Sequence, residues 1–173
     1  MVEKVMSYNN TKISNYYTIF PGHLNRHNTL FGGQILYWLD DATGLVIRRY
    51  ADIPFVTATI DNYQFLDAVY GNEALLIETY ISRVGGRSLE VFAEVSAFNH
   101  ENRETRLVGL CFSTFVVRKD VELTESLPQL EYVDEVAKFV NESYEKRKNN
   151  EILMRDFTKL YRNYYNKKNI NNH

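Results

Sequence analysis

The sequence predicts an α+β domain in which one antiparallel sheet wraps a single long helix, and three observations carry that expectation. An amphipathic helical segment stands early in the chain, four strand-like runs follow it without another helical pattern between them, and short polar or glycine-containing breaks separate the runs. The length suits one such domain, since 173 residues with 45% hydrophobic content can build one core. Thirteen Tyr and ten Phe against three Pro favour ordered β structure over a linker-like chain.

After a polar start, residues 16–20 read as a short strand, and residues 21–28, with Pro21, Gly22, His23, Asn25 and Asn28, read as a loop. From Gly33 to Tyr50 the apolar residues Ile35, Trp38, Leu39, Ala42, Leu45 and Val46 recur at the spacing of an amphipathic helix, and Pro54 closes that region. Strands are expected over residues 56–65, 74–84, 88–99 and 106–117. In the third, Leu89, Val91, Ala93, Val95 and Ala97 alternate with Ser88, Glu90, Phe92, Glu94 and Ser96, which predicts one buried face and one partly polar face. Gly85-Gly86 predicts a tight hairpin using positive φ, and polar residues 100–105 predict the next one. Beyond Pro128, Leu130, Val133, Val136, Ala137 and Val140 predict a helix over residues 130–147; a second is expected over 151–164, with 167–173 disordered. The chain therefore divides into a domain over residues 1–127 and a C-terminal helical extension over 128–173.

A formal charge of −2 supplies no global basic field, which argues against nucleic acid as the main partner. No apolar run reaches about 18 residues and the N-terminus is polar, so the expectation is a cytoplasmic protein that does not insert into membranes. The single cysteine, Cys111, falls in an apolar strand-like run and reads as a buried structural thiol. His23 and His27 lack a third ligand at suitable spacing, so no metal site is expected.

Chemistry concentrates around the start of the long helix. Gly32-Gly33 either eases the loop into the helix or lets a ligand approach amide N–H groups at the positive end of the helix dipole, where an oxyanion is stabilised. Asp40, two turns on, sits at the edge of the apolar stripe. Burial there would raise its pKa, hydrogen bonds to its charged form would keep it ionised, and that balance suits a general base or nucleophile. A solvated Asp40-Asp41 pair is the plainer alternative.

Several motifs, in order across about residues 16–120, resemble the hot-dog acyl-CoA hydrolases. They are Asn25, Leu30-Phe31-Gly32-Gly33, Trp38-Leu39-Asp40 and Ala42, then Val56-Thr57-Ala58 with Asp61 and Phe65. Val84-Gly85, Arg87-Ser88, Glu90-Val91 and Phe115-Val116 complete them. The resemblance implies a hot-dog fold and an acyl-CoA thioesterase whose site joins Asn25 and Asp40 from different subunits. Gly33 N–H would add oxyanion stabilisation beside Gly32. Where relatives commonly have glycine three residues after the asparagine, this chain has Asn28, which tolerates a left-handed backbone.

The resemblance also places the coenzyme A moiety of the substrate along Val84, Gly85, Gly86, Arg87 and Ser88, with Arg87 set to pair with a phosphate. Thr57, Asp61 and Phe65 read as site lining or core. No cofactor is implied, coenzyme A being part of the substrate, and the partners implied are a homodimer at minimum and plausibly a trimer of dimers. Two other readings remain within the fold. A hot-dog dehydratase would need a histidine ahead of Phe20-Pro21, where Ile19 stands, and a non-catalytic acyl-CoA sensor would need a DNA-binding segment that residues 1–15 are too short and polar to form.

Overall fold

The computed structural model describes residues 5–170. In chain order these form β1 (Val5–Ser7), a 3-10 turn (Tyr8–Thr11), β2 (Ile13–Thr18), a second 3-10 turn (Pro21–His23) and α1 (Gly32–Tyr50). They continue as β3 (Phe55–Phe65), β4 (Glu73–Val84), β5 (Ser88–Asn99), β6 (Thr105–Val117), β7 (Gln129–Glu131), α2 (Glu135–Lys148) and α3 (Met154–Ile170). The main sheet runs β2-β4-β5-β6-β3, antiparallel throughout, and β1 pairs with β7 in parallel.

The apolar stripe of α1 decides the first layer. Ile35, Trp38, Leu39 and Ala42 pack on Leu75 and Ile77 of β4, Ala93, Val95 and Ala97 of β5, and Val108 and Cys111 of β6. One turn later Val46, Ile47 and Tyr50 meet Ile81, Leu89, Val91 and Phe115. Arg48 and Arg49 occupy the last turn of α1, where cations oppose the negative end of the helix dipole. The sheet thus wraps one helix, as the sequence pattern predicts.

The opposite face departs from expectation. Glu90, Phe92, Glu94 and Ser96 of β5 are all buried, because α2 and α3 fold back over them. Ala137 and Val140 of α2 and Phe157, Tyr161 and Tyr165 of α3 close on Tyr80, Phe92, Leu110 and Phe112. Buried carboxylates need partners. Glu90 takes two bonds from Arg147, at 2.9 and 2.8 Å, and one from the Ser82 hydroxyl at 2.7 Å, while the Arg147 guanidinium lies 3.4 Å from the centre of the Phe112 ring. Glu94 accepts from the Tyr161 hydroxyl and faces Lys168 at 3.6 Å.

Element ends shift for identifiable reasons. α2 starts at Glu135 and not at residue 130, because Asp134 accepts a 2.7 Å bond from the Ala137 amide as its N-cap, and Leu130 pairs with Met6 in β7. α3 extends through Lys167 and Lys168, which were expected to be disordered; residues 171–173 of that expectation lie outside the described residues. The β4–β5 hairpin forms with the Gly85 amide bonded to the Ser88 carbonyl at 2.7 Å, yet neither glycine has positive φ. A Cβ at Gly85 would lie 2.7 Å from Ser88 Oγ and 3.3 Å from the Ser88 carbonyl oxygen, so the serine side chain would have to turn aside. No helix among the described residues is long and apolar enough to cross a membrane.

Candidate active site

Asp40 emerges on the flank of α1 that the sheet does not cover. Its Oδ1 accepts a 3.0 Å bond from the Thr57 hydroxyl of β3, so the carboxylate is oriented while its second oxygen stays exposed. The two residues stand in an open groove of about 820 Å³ between α1 and β3, whose walls include Leu45, Arg48, Val56 and Phe115. Thr57, read from sequence as lining or core, is therefore the residue that fixes Asp40.

Asn25 is held by its own loop. Its side-chain oxygen accepts from the amides of His27 at 2.8 Å and Thr29 at 3.3 Å, and its Nδ2 donates to the Thr29 hydroxyl at 3.0 Å. The backbone closes the same loop, with the Asn25 amide on the Thr29 carbonyl and the Phe31 amide on the His23 carbonyl. Asn28 takes the left-handed backbone this loop requires, at φ 57°. No bond joins Asn25 to Asp40 within one chain: Asn25 precedes α1, and Asp40 lies eight residues, about 12 Å, beyond the first residue of the helix.

At the helix start, the amides of Gln34 and Ile35 bond to the Phe31 carbonyl, whereas those of Gly32 and Gly33 have no acceptor among the described residues. A Cβ on Gly33 would strike the exposed Phe31 ring and push it aside, and one on Gly32 would come within 3.1 Å of the Phe65 ring, a tight contact. Close ring packing and free amides coexist at this turn.

The hairpin residues Val84, Gly85, Gly86, Arg87 and Ser88 share the Thr57 end of the sheet. Thr57 pairs with Phe115, Phe115 with Leu89 and Leu89 with Val84, so Val84 stands three strand spacings, about 14 Å, from Thr57. Arg87 is already engaged, its Nη2 donating to the carbonyls of Val121 at 2.9 Å and Arg118 at 3.2 Å. Those acceptors lie more than thirty residues away, which is why sequence gave no sign of them. Asp61 is excluded from the groove. A bulge between Thr57 and Thr59 adds one residue to β3, so Asp61 pairs with Phe112 and turns to the face under α2 and α3, where it accepts from Thr59 and Thr114.

A further feature escaped the sequence reading. Phe31, Tyr37, Leu45, Val56, Ile60 and Phe65 are all exposed along α1 and the outer edge of β3, an apolar border beside an unpaired strand. Strand propensity marks Val56, Ile60 and Phe65 as strand residues but does not say that β3 is an edge. Among the described residues no three potential metal ligands converge.

The thioesterase superfamily profile matches residues 27–102. An uncharacterized acyl-CoA thioester hydrolase of Bacillus subtilis is 32% identical over 117 residues, 65% of this chain and 68% of that protein. This chain belongs to the thioesterase superfamily. The rat acetyl-coenzyme A thioesterase is 30% identical over 100 residues, 58% of this chain but 18% of that protein. Among solved structures, an acyl-CoA hydrolase from Bacillus cereus aligns with a TM-score of 0.78 at 27% identity, covering 85% of this chain and 89% of its own. An apo-hexameric acyl-CoA thioesterase aligns at 0.79 and 26%, covering 85% and 94%. The wrapped helix is thus the hot-dog fold of the thioesterase superfamily. Its profile spans Gly32, Gly33, Asp40, Thr57 and the 84–88 hairpin, whereas Asn25 precedes the matched residues and α2 and α3 follow them.

Proposed function

We propose that this chain hydrolyses fatty acyl-CoA to fatty acid and coenzyme A, with Asp40 of one protomer and Asn25 of the partner subunit serving one thioester. The observation that carries the reading is the oriented Asp40 carboxylate, fixed by Thr57 in an open groove between α1 and β3. Asp40 either takes a proton from the attacking water or attacks the carbonyl carbon itself, and the acyl C–S bond then breaks as the thiolate leaves. Asn25 orients the water or polarises the carbonyl, and the Gly33 amide donates to the developing oxyanion. The β4–β5 hairpin borders the coenzyme A moiety. No cofactor is required.

The unpaired β3 edge and its apolar border support a homodimer as the smallest working unit, with three dimers forming a hexamer. The similarity to relatives named as acyl-CoA hydrolases, one of them hexameric, supports both substrate and assembly. The test is thiol release from a panel of acyl-CoA chain lengths. Cys111 is fully buried, with its pKa pushed up to about 12 by that burial, so it adds no background to the thiol signal. Asp40→Asn is expected to cut turnover about a hundredfold or more with an unchanged melting temperature. Near-normal turnover in that variant removes the assignment.

A further inference from the structure

The C-terminal helices, β4 and the segment from Tyr8 to Ser14 border a second, partly open cavity on the face of the sheet opposite the groove. It measures about 260 Å³ and is bounded by Tyr8, Tyr80, Val136, Ala137 and Tyr161, with Lys12 and Lys168 among its polar lining. Three carboxylates also reach it, and each already has donors. Asp134 accepts from the Tyr8 hydroxyl and from the Ala137 amide. Glu94 accepts from the Tyr161 hydroxyl and faces Lys168, and Glu78 accepts from Lys168 at 3.2 Å and from the Ser14 hydroxyl at 3.4 Å.

Three groups keep unused donors. The Lys12 ammonium lies 4.6 Å from the Tyr8 ring centre and pairs with Asp134 at 3.9 Å as an ion pair, too long for a hydrogen bond. The Tyr80 and Thr79 hydroxyls are buried and have no hydrogen-bond partner. A buried hydroxyl without an acceptor is costly, and native folds rarely keep one without a reason. A cation with no hydrogen bond, two buried hydroxyls and apolar walls on one cavity suit a ligand with an acceptor at one end and a hydrocarbon body.

We propose that this cavity binds a short- to medium-chain aliphatic monocarboxylate, its carboxylate at Lys12 and Tyr80 and its chain against Val136, Ala137 and Tyr161. Thioester hydrolysis releases that class of molecule, so the site becomes a product-sensing one; this last step rests on the hydrolase reading. It also gives α2 and α3 a role separate from catalysis, since they supply the cavity's outer wall.

Calorimetric titration of the full-length chain with sodium octanoate tests the site. The expected result is one octanoate per chain at a site that Lys12→Met weakens about tenfold or more and Tyr80→Phe weakens severalfold. Tyr80→Phe keeps the ring and guards against loss of folding in the lysine variant. Asp40→Asn should leave this binding unchanged. The proposal is overturned if octanoate does not bind at millimolar concentration, if both cavity variants bind it like the parent chain, or if Asp40→Asn abolishes binding and so locates it in the groove. Hydrolysis of acyl-CoA is scored separately on the same preparations, so loss of the hydrolase reading and loss of this site are distinguishable.

Discussion

The two faces of β5 meet their covering helices in opposite ways. Toward α1, Leu89, Val91, Ala93, Val95 and Ala97 form a dry apolar layer, and the polar groups of the site are pushed to the border, where Asp40 and Thr57 stand exposed. Toward α2 and α3, Glu90 and Glu94 are buried in mid-strand and held by Arg147, Tyr161 and Lys168. The first face leaves Asp40 and Thr57 exposed, bonded to each other and to no other side chain among the described residues. The second satisfies its charges within the chain. Stability and catalysis should therefore respond to different substitutions.

The largest stability effect should come from the closed face. Arg147→Ala leaves Glu90 buried without its ion pair and should cost about 3–5 kcal/mol in urea unfolding, with turnover per folded molecule unchanged. A parallel fall in turnover would mean that the two faces are coupled. An intermediate effect is expected at Gly109, where a methyl group would overlap the Tyr63 hydroxyl. Gly109→Ala should destabilise by about 1–3 kcal/mol. Tyr63→Phe removes that hydroxyl, which is buried and unpartnered, and should recover part of the loss in thermal melts of the double variant. The smallest effect falls on the open side: Asn28→Ala should cost about 1 kcal/mol through its positive φ and lower turnover by loosening the loop that holds Asn25, while Asn28→Gly should be close to neutral in both.

Periodicity sufficed for the helix and the four long strands, because burial imposes a local pattern on each. It failed where distant segments intervene. The polar face of β5 looked half-solvated, since the side chains that bury and neutralise it come from residues 137–168 and leave no mark on the strand's own alternation. Thr57 and Asp61 read alike as site lining or core, but the bulge after Thr57 turns Asp61 to the other face of the sheet. The Gly85-Gly86 turn was found by composition, but the positive φ expected of it is not adopted by either glycine. Asp40 and Asn25 were singled out with the help of resemblance, but the Thr57 bond that orients Asp40 and the Thr29 bond that holds Asn25 became visible only in three dimensions.

Complementation between two inactive variants tests most directly whether the site is shared between chains. Asp40→Asn and Asn25→Ala proteins, refolded together in equal amounts, should form mixed dimers in half of the population, each with one intact site, and regain about a quarter of the parent activity. Mixtures no more active than either variant alone would contradict a site built from two protomers.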